Sequence, residues 1–208
     1  MNLESSVKFL SPKSQSFTDS PPSTSDNPLD ASGVMGAMGF AVATAGFGMS
    51  AFFGAKIGSS EQDRERVIQS LMQTLLKKTA KVKPIHSLKG RNKATAIRMM
   101  AVFALDIYSR SAATPDARCT RCKGRGKTVD RVLFQKTGEQ SWKDCDKCKG
   151  RGFNQPKWST ISTVLLKLAP DLNHKQFQRQ IQPLIEDMVT VLNIAEAEAD
   201  RALHHASH

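Results

Sequence analysis

Four cysteines, arranged in two copies of one short motif, constrain this chain more than any other feature. Cys119 and Cys122 open the first copy, Cys145 and Cys148 open the second, and the 208 residues contain no other cysteine. Each copy reads CxxCxGxG, and 22 residues lie between Cys122 of the first copy and Cys145 of the second. Two residues between cysteines let both sulfurs point at one ion, while the glycines permit the positive φ of a knuckle turn. The sequence therefore predicts a closed tetrahedral site in which four thiolates hold one structural Zn2+.

Two other interpretations of the cysteines remain open, namely a disulfide and unmetallated thiols. The segment from Met1 to Ser20 is polar and shows no secretory signal, so we expect a reducing cytoplasm, where paired CxxC motifs bind metal more often. A thiol oxidoreductase would need a thioredoxin-like βαβ context, which the sequence lacks. Four thiolates leave no position for a catalytic water, and no nucleophile–base pair or carboxylate constellation occurs, so we expect no enzyme.

Residues 116–155, which we call the cysteine lobe, contain few apolar side chains. Because so few apolar side chains cannot stabilise a segment of 40 residues by burial, we expect the lobe to need a metal. Val129–Gln135 and Glu139–Lys143 flank a Lys136-Thr137-Gly138 turn, and this pattern predicts a β-hairpin. The lobe is therefore predicted as a zinc-knuckle insert with a hairpin.

Helical periodicity on both sides of the cysteine lobe predicts a mainly α fold, with the lobe inserted into a compact helical domain. One helix should begin at an N-cap, Ser60, and the next should run from a cap at Asn92 to about Arg110. The residues before and after the domain are polar and are predicted as tails. The predicted division is a disordered tail at 1–30, a helical part at 31–115, the lobe, a helical part at 156–200 and a frayed tail at 201–208.

Residues 31–55 carry no charge and are long enough to cross a bilayer. They contain six glycines, which destabilise a helix, and only Val34 and Val42 among Leu, Ile and Val. We therefore expect no membrane span but two short helices with a break near Ala45-Gly46-Phe47-Gly48.

The net charge of +11 points to a polyanion, nucleic acid first. From 118 to 151 there are eleven basic and four acidic residues, a net +7; four thiolates and one Zn2+ would add −2, leaving +5. The two Lys-Gly-Arg-Gly turns, at 123–126 and 149–152, place cations beside backbone amides, as phosphate binding requires. The alternative is a solvated basic face that keeps the lobe soluble.

Residues 157–182 have helix-turn-helix proportions, with a helix at 157–168, a short turn, and a second helix that Asn173 should cap and Pro183 should kink. An ordinary antiparallel pair would show the same pattern. Gln and Arg near the start of the second helix suit major-groove base edges. The candidate DNA-binding residues are Lys157, Lys175, Gln176, Gln178 and Arg179 on the pair, and Lys123, Arg125, Lys149 and Arg151 on the knuckles.

The chain resembles the Q antiterminators of lambda-like bacteriophages over almost its whole length. MNLESSVKFLSPKS, VMGAMGFAVATAGFGMSAF, SRSAATPDARC and the two knuckles carry the resemblance, in the family's order. The run SRSAATPDARC directly before the first knuckle is specific, whereas CxxCxGxG alone is not.

The resemblance implies a protein that binds double-stranded DNA at a late promoter and then engages paused host RNA polymerase with sigma bound. Such a protein makes polymerase read through pauses and terminators in the host cytoplasm, with nascent RNA and host elongation factors as further partners and no membrane. It also implies that Cys119, Cys122, Cys145 and Cys148 are the metal ligands. The alternative is a DnaJ-like zinc chaperone or protein-interaction module, although those chaperones carry four repeats and a His-Pro-Asp signature that this chain lacks.

Overall fold

The computed structural model describes residues 2–10, 31–58 and 60–207 and confirms a mainly α fold with a small β-hairpin. The elements follow in chain order, and two π-helical segments interrupt the α-helices. They are α1 (Leu3–Leu10), α2 (Ala31–Ala51), a π segment (Phe52–Ile57), α3 (Glu61–Thr79), α4 (Lys83–His86), α5 (Gly90–Ser109), β1 (Lys127–Val129), α6 (Arg131–Thr137), β2 (Trp142–Asp144), α7 (Trp158–Leu168), α8 (His174–Gln176), a π segment (Phe177–Ile181) and α9 (Gln182–Ala206).

The chain divides into two compact units. Unit 1 combines residues up to Gln69 with those from Thr190 onward, and unit 2 comprises Ser70–Val189. The core of unit 1 is built from apolar side chains of α1, α2, the first π segment and the end of α9. Its buried members are Leu3, Ala37, Ala41, Met49, Phe52, Ala199 and Leu203.

The first residues of the segment that is predicted as a tail form helix α1. The side chain of Asn2 accepts a hydrogen bond from the N–H of Ser5 (2.8 Å), so it caps the helix. Leu3 is buried, and its N–H donates to Asp200 of the same unit (2.9 Å). The predicted tail falls otherwise on residues 11–30, which lie outside the described residues.

Helix α2 breaks where the glycines and alanines predict. Ala45 leaves the helical region (φ −133°, ψ 40°), so two helical pieces meet there. Gly48 permits a close approach, because a Cβ at this position would lie 2.0 Å from the carbonyl oxygen of Ala195. By length and composition, Ser32–Ile57 could cross a membrane, but a core helix passes the same test. Val34, Met49 and Phe52 are buried inside the protein, whereas Met35, Phe40 and Val42 are exposed.

The helix starts in this region agree in part with the sequence. The Ser60 hydroxyl accepts a hydrogen bond from the N–H of Asp63 (3.1 Å), which confirms the predicted cap of α3. Helix α5, however, begins at Gly90, so Asn92 lies inside its first turn rather than at its cap. Lys89 occupies the cap position without a side-chain bond, and the predicted Asn92 cap is wrong.

The hairpin of the cysteine lobe is shorter than predicted. Strands β1 and β2 pair antiparallel, with Val129 opposite Trp142. The sequence predicts a strand at 129–135, but α6 occupies 131–137 because the Asp130 carboxylate accepts hydrogen bonds from the N–H groups of Val132 and Leu133. An aspartate at this position is a strong helix N-cap, and it overrides the β propensity of the following residues.

Helices α5 and α7 and the second π segment meet around Trp158. Its ring lies 5.4 Å from the ring of Phe103 and 6.4 Å from that of Phe177. The Asn173 side chain accepts a hydrogen bond from the N–H of Gln176 (2.9 Å), while the Gln176 side chain accepts one from the N–H of Asn173 (3.1 Å). This capping box confirms the predicted cap and fixes the start of the second helix of the pair.

The predicted kink at Pro183 takes the form of a widened turn. Pro183 has no N–H to donate to the preceding turn. Residues 177–181 form a π segment, in which the N–H of Gln182 donates to the carbonyl of Phe177. The helix then continues to Ala206 with Leu203 buried, so the predicted fraying of 201–208 is wrong up to residue 206.

We expect Asn173→Ala to destabilise unit 2 by about 1 kcal/mol, because it removes a capping oxygen. Asn92→Ala is the matched control and should change the free energy of unfolding little, since Asn92 lies inside α5 and alanine is the better helix former. Urea unfolding followed by Trp158 fluorescence in a Trp142→Phe background measures both. A loss at Asn92 equal to that at Asn173 would contradict the assigned helix starts.

Candidate metal centre and nucleic-acid interface

The two knuckles bring all four cysteine sulfurs together, although 26 residues separate equivalent cysteines. The Sγ atoms lie within 4.8 Å of one another, and all four side chains are buried. Cys119 Sγ lies 3.9 Å from Cys145 Sγ, and Cys122 Sγ lies 3.7 Å from Cys148 Sγ. These distances far exceed a disulfide bond of about 2.05 Å, so the four thiols are free.

The sulfur cluster has the dimensions of a tetrahedral thiolate site. Four bonds of about 2.3 Å to a central ion separate the sulfurs by about 3.8 Å. The observed distances of 3.7 and 3.9 Å match that geometry. Four soft sulfur donors suit Zn2+ and leave no open coordination position, so the residues fit a structural metal ion.

The local backbone already perturbs two of the thiols. Hydrogen bonds from the backbone N–H groups of Cys122 and Arg121 lower the pKa of Cys119 to about 6. Burial raises the pKa of Cys148 to about 11, although the N–H of Gly152 donates to its sulfur at 3.2 Å. A metal cation would stabilise the thiolate form at all four positions, because it supplies positive charge to buried anions.

The two knuckles exchange backbone hydrogen bonds in a pattern that repeats every 26 residues. The N–H of Cys119 donates to the carbonyl of Gly152 (2.9 Å), and the N–H of Cys145 donates to the carbonyl of Gly126 (2.8 Å). The first cysteine of each copy therefore bonds to the last glycine of the other. An isolated β-bridge between Arg118 and Phe153 belongs to the same region. Each knuckle thus provides a backbone hydrogen-bond acceptor for the first cysteine of the other.

Glycine is required where the two copies touch. A Cβ on Gly126 would lie 2.2 Å from the carbonyl oxygen of Gly150, and one on Gly152 would lie 2.5 Å from that of Gly124. These glycines also have positive φ (74° at Gly126, 83° at Gly152), as the motif predicts. Both backbone conformation and space exclude a side chain there.

Side chains at the two middle positions of the knuckles also pair across the copies. Lys147 donates to the hydroxyl of Thr120 (2.8 Å), and Arg121 pairs with Asp146 (3.2 Å). None of these four residues was predicted as a site residue. An alignment of the two copies could have identified them, because each pair joins the second variable position of one copy to the first variable position of the other.

The cysteine lobe is tied to the helices on either side of it. The N–H of Asn154 donates to the carbonyl of Ala117 (2.7 Å), and Arg110 donates to the carbonyl of Asn154 (3.3 Å). Ala117 is buried. These bonds join the end of α5 and the approach to α7, so the lobe and the helix pair belong to one unit.

The candidate DNA-binding residues lie at the surface. Phe177 and Ile181 are buried, so the residues between them face outward. Gln176 is half-buried, and its side chain is part of the capping box. The other candidates are exposed: Lys157, Lys175, Gln178 and Arg179 on the helix pair, and Lys123, Arg125, Lys149 and Arg151 on the knuckles.

Comparisons with known proteins point to one family. Residues 113–200 match the sequence model of a family described as antitermination protein Q. The chain is also 39% identical, over 204 residues, to the antitermination protein Q of Escherichia phage lambda, of Escherichia phage HK022 and of Salmonella phage P22. In each case the similarity covers 98% of this chain and 98% of the relative.

We expect Gly126→Ala to disrupt the metal centre, because the added methyl group would overlap the Gly150 carbonyl. Gly138→Ala is the matched control, since Gly138 has the same positive φ (73°) but no atom within 4 Å of an added Cβ. The control should cost only the backbone strain, about 1 kcal/mol. Metal content after dialysis and the urea midpoint compare the two variants. Equal effects would show that the knuckles do not pack as described.

Proposed function

Because the chain belongs to the antitermination protein Q family, we propose that it binds a late-promoter DNA element and engages promoter-proximally paused bacterial RNA polymerase. Polymerase then reads through pauses and terminators. The family regulates transcription in phages, and the similarity covers 98% of this chain and 98% of its lambda relative. The observation that carries the proposal is the placement of exposed cations on both the knuckles and the helix pair of unit 2.

We assign the four-cysteine centre to one structural Zn2+. The sulfur spacing fits a closed tetrahedral shell, and the donor set excludes the hard cations Mg2+ and Ca2+ as natural occupants. The ion would hold the two knuckles in contact and keep their cations in fixed positions. Zinc therefore contributes to DNA binding through folding rather than through chemistry.

The knuckles and the helix pair would contact different parts of the DNA. Lys123, Arg125, Lys149 and Arg151 surround the knuckle turns and would contact phosphates, which fix position but carry no sequence information. On the second helix of the pair, Lys175, Gln178 and Arg179 would approach base edges, where Gln reads adenine and Arg reads guanine. Gln176 is a weaker reader because its oxygen already caps the helix.

The partners follow from this function. We place the protein in the host cytoplasm with double-stranded DNA and host RNA polymerase carrying sigma. Nascent RNA and host elongation factors come within reach once polymerase leaves the pause. The net charge of +11 favours binding to DNA and RNA, which are polyanions.

We expect Arg179→Ala to weaken binding to the late-promoter element by about 1–3 kcal/mol, because a bidentate contact to a base edge is lost. Arg179→Lys retains the charge but loses the fork of donors, so it should weaken specific binding nearly as much and leave binding to unrelated duplex unchanged. Gel shifts with both duplexes measure the effect. If Arg179→Lys binds the element like the wild type, Arg179 contacts phosphate and does not read a base.

In-vitro transcription through a terminator tests the function itself. Bacterial polymerase with sigma should read through a terminator downstream of the late promoter when the protein is present, and should stop when it is absent. Arg179→Ala should lower read-through in proportion to its loss of DNA affinity. Unchanged termination with the zinc-loaded wild-type protein would rule out the proposed function.

A further inference from the structure

A groove of about 560 Å3 lies on the cysteine lobe, away from the helix pair. Its volume falls in the range of about 300–1,000 Å3 that is typical of ligand-binding pockets. One knuckle, both hairpin strands and the start of α6 form its walls. The lining residues are Arg121, Cys122, Lys123, Arg125, Lys127, Thr128, Val129, Val132, Trp142 and Lys143.

The groove is strongly cationic. Five of the described residues that line it are basic, and none of them is acidic. Arg121 and Lys143 are partly neutralised, by Asp146 (3.2 Å) and by Asp130 (3.9 Å) respectively. Within the described residues, Lys123, Arg125 and Lys127 form no ion pair and are exposed. Three exposed cations that form no ion pair favour a ligand with several negative charges.

The groove also presents an aromatic surface. Trp142 lines it and is 50% exposed, which is unusual for so large an apolar side chain. Val129 lies directly opposite Trp142 in the hairpin, so the two side chains share one face of the ribbon. An indole beside a row of cations combines the two features that single-stranded nucleic acid requires, namely a stacking platform and a charged track.

We propose that this groove binds single-stranded nucleic acid, with an unpaired base stacked on Trp142 and the flanking phosphates on Lys123, Arg125 and Lys127. The inference rests on the proposed function, because a regulator on transcribing polymerase meets single strands in the transcript and in the melted DNA. Duplex DNA cannot stack on Trp142, because its bases are stacked on each other and present no free face to the indole. Lys123 and Arg125 would therefore be shared: they would contact duplex phosphates at the promoter, and the single strand when the groove is occupied.

An apolar segment of a partner protein is the competing occupant. Leu133 and Phe134 on α6 are 45% and 47% exposed and would suit an apolar partner, but neither of them lines the groove. Inside the groove, five basic side chains lie beside Val129, Val132 and Trp142. The lining therefore favours phosphates and a base over an apolar peptide.

Binding of fluorescent oligouridine and oligothymidine to the zinc-loaded full-length protein tests the proposal. Bound bases should quench Trp142, whereas Trp158, which packs against Phe103 and Phe177, reports only that unit 2 is folded. Trp142→Ala should weaken oligonucleotide binding by about 5- to 150-fold, equal to about 1–3 kcal/mol for one stacked base. Trp142→Phe retains an aromatic face and should keep most of the affinity.

Affinity for the late-promoter duplex separates this proposal from the proposed function. Trp142→Ala should bind that duplex like the wild type, while Arg179→Ala should lose duplex affinity and keep oligonucleotide affinity. Oligouridine preference over oligothymidine would identify the transcript as the source, and the reverse would identify melted DNA. Unchanged oligonucleotide affinity in Trp142→Ala overturns the proposal, and if the same variant binds polymerase more weakly, the groove belongs to a protein partner.

Discussion

The structure of the cysteine lobe depends on one constraint: four cysteine sulfurs lie close enough together to bind one ion. The large apolar side chains of the cysteine lobe do not form a core: Phe134 and Trp142 are about half exposed, and Val132 and Leu133 are similarly open. The buried cluster of the lobe is the set of cysteines itself. The conformational entropy lost when a segment of this length is ordered exceeds the stabilisation that such limited burial provides. A shared metal ion would provide the missing stabilisation, because its binding free energy is also folding free energy.

The repeat gives the metal centre its shape. Each knuckle receives backbone hydrogen bonds and glycine contacts from the other, so neither is a stable unit alone. Cations that are dispersed in the sequence are thereby fixed around one small surface, where their field acts on a phosphate backbone together. Hydrogen bonds through Asn154 join this surface to the helices of unit 2. In the proposed function, metal binding, charge placement and DNA binding would in this way be one linked property.

The sequence was most informative where a local rule sufficed. The CxxCxGxG spacing predicted the sulfur cluster, the glycines of 31–55 predicted the break at Ala45, and Asn173 was predicted as a helix cap, all of which the structure confirms. The family resemblance is confirmed by relatives that are 39% identical. The predictions failed where a competing interaction decided the outcome. Asp130 caps a helix inside an expected strand, and burial of Leu3 and Leu203 orders chain ends that composition alone predicts as loose.

Tertiary features lay beyond the sequence for a physical reason. The groove beside Trp142 is formed by residues of a knuckle, a hairpin and α6, and only the exchange of bonds between the copies brings them together. No local pattern encodes that assembly. The exposed face of the second helix of the pair, which we propose reads DNA, is similar, since it is defined by the burial of Phe177 and Ile181. The assignments of individual base-reading residues remain predictions.

X-ray absorption at the zinc edge tests the central claim most directly. For protein purified from cells grown with zinc, we expect one zinc per chain and a first shell of four sulfurs at about 2.3 Å, with no nitrogen or oxygen ligand. A shell that contains light atoms, or protein that carries no metal and has its cysteines in disulfides, would contradict the account of how the two knuckles are held together.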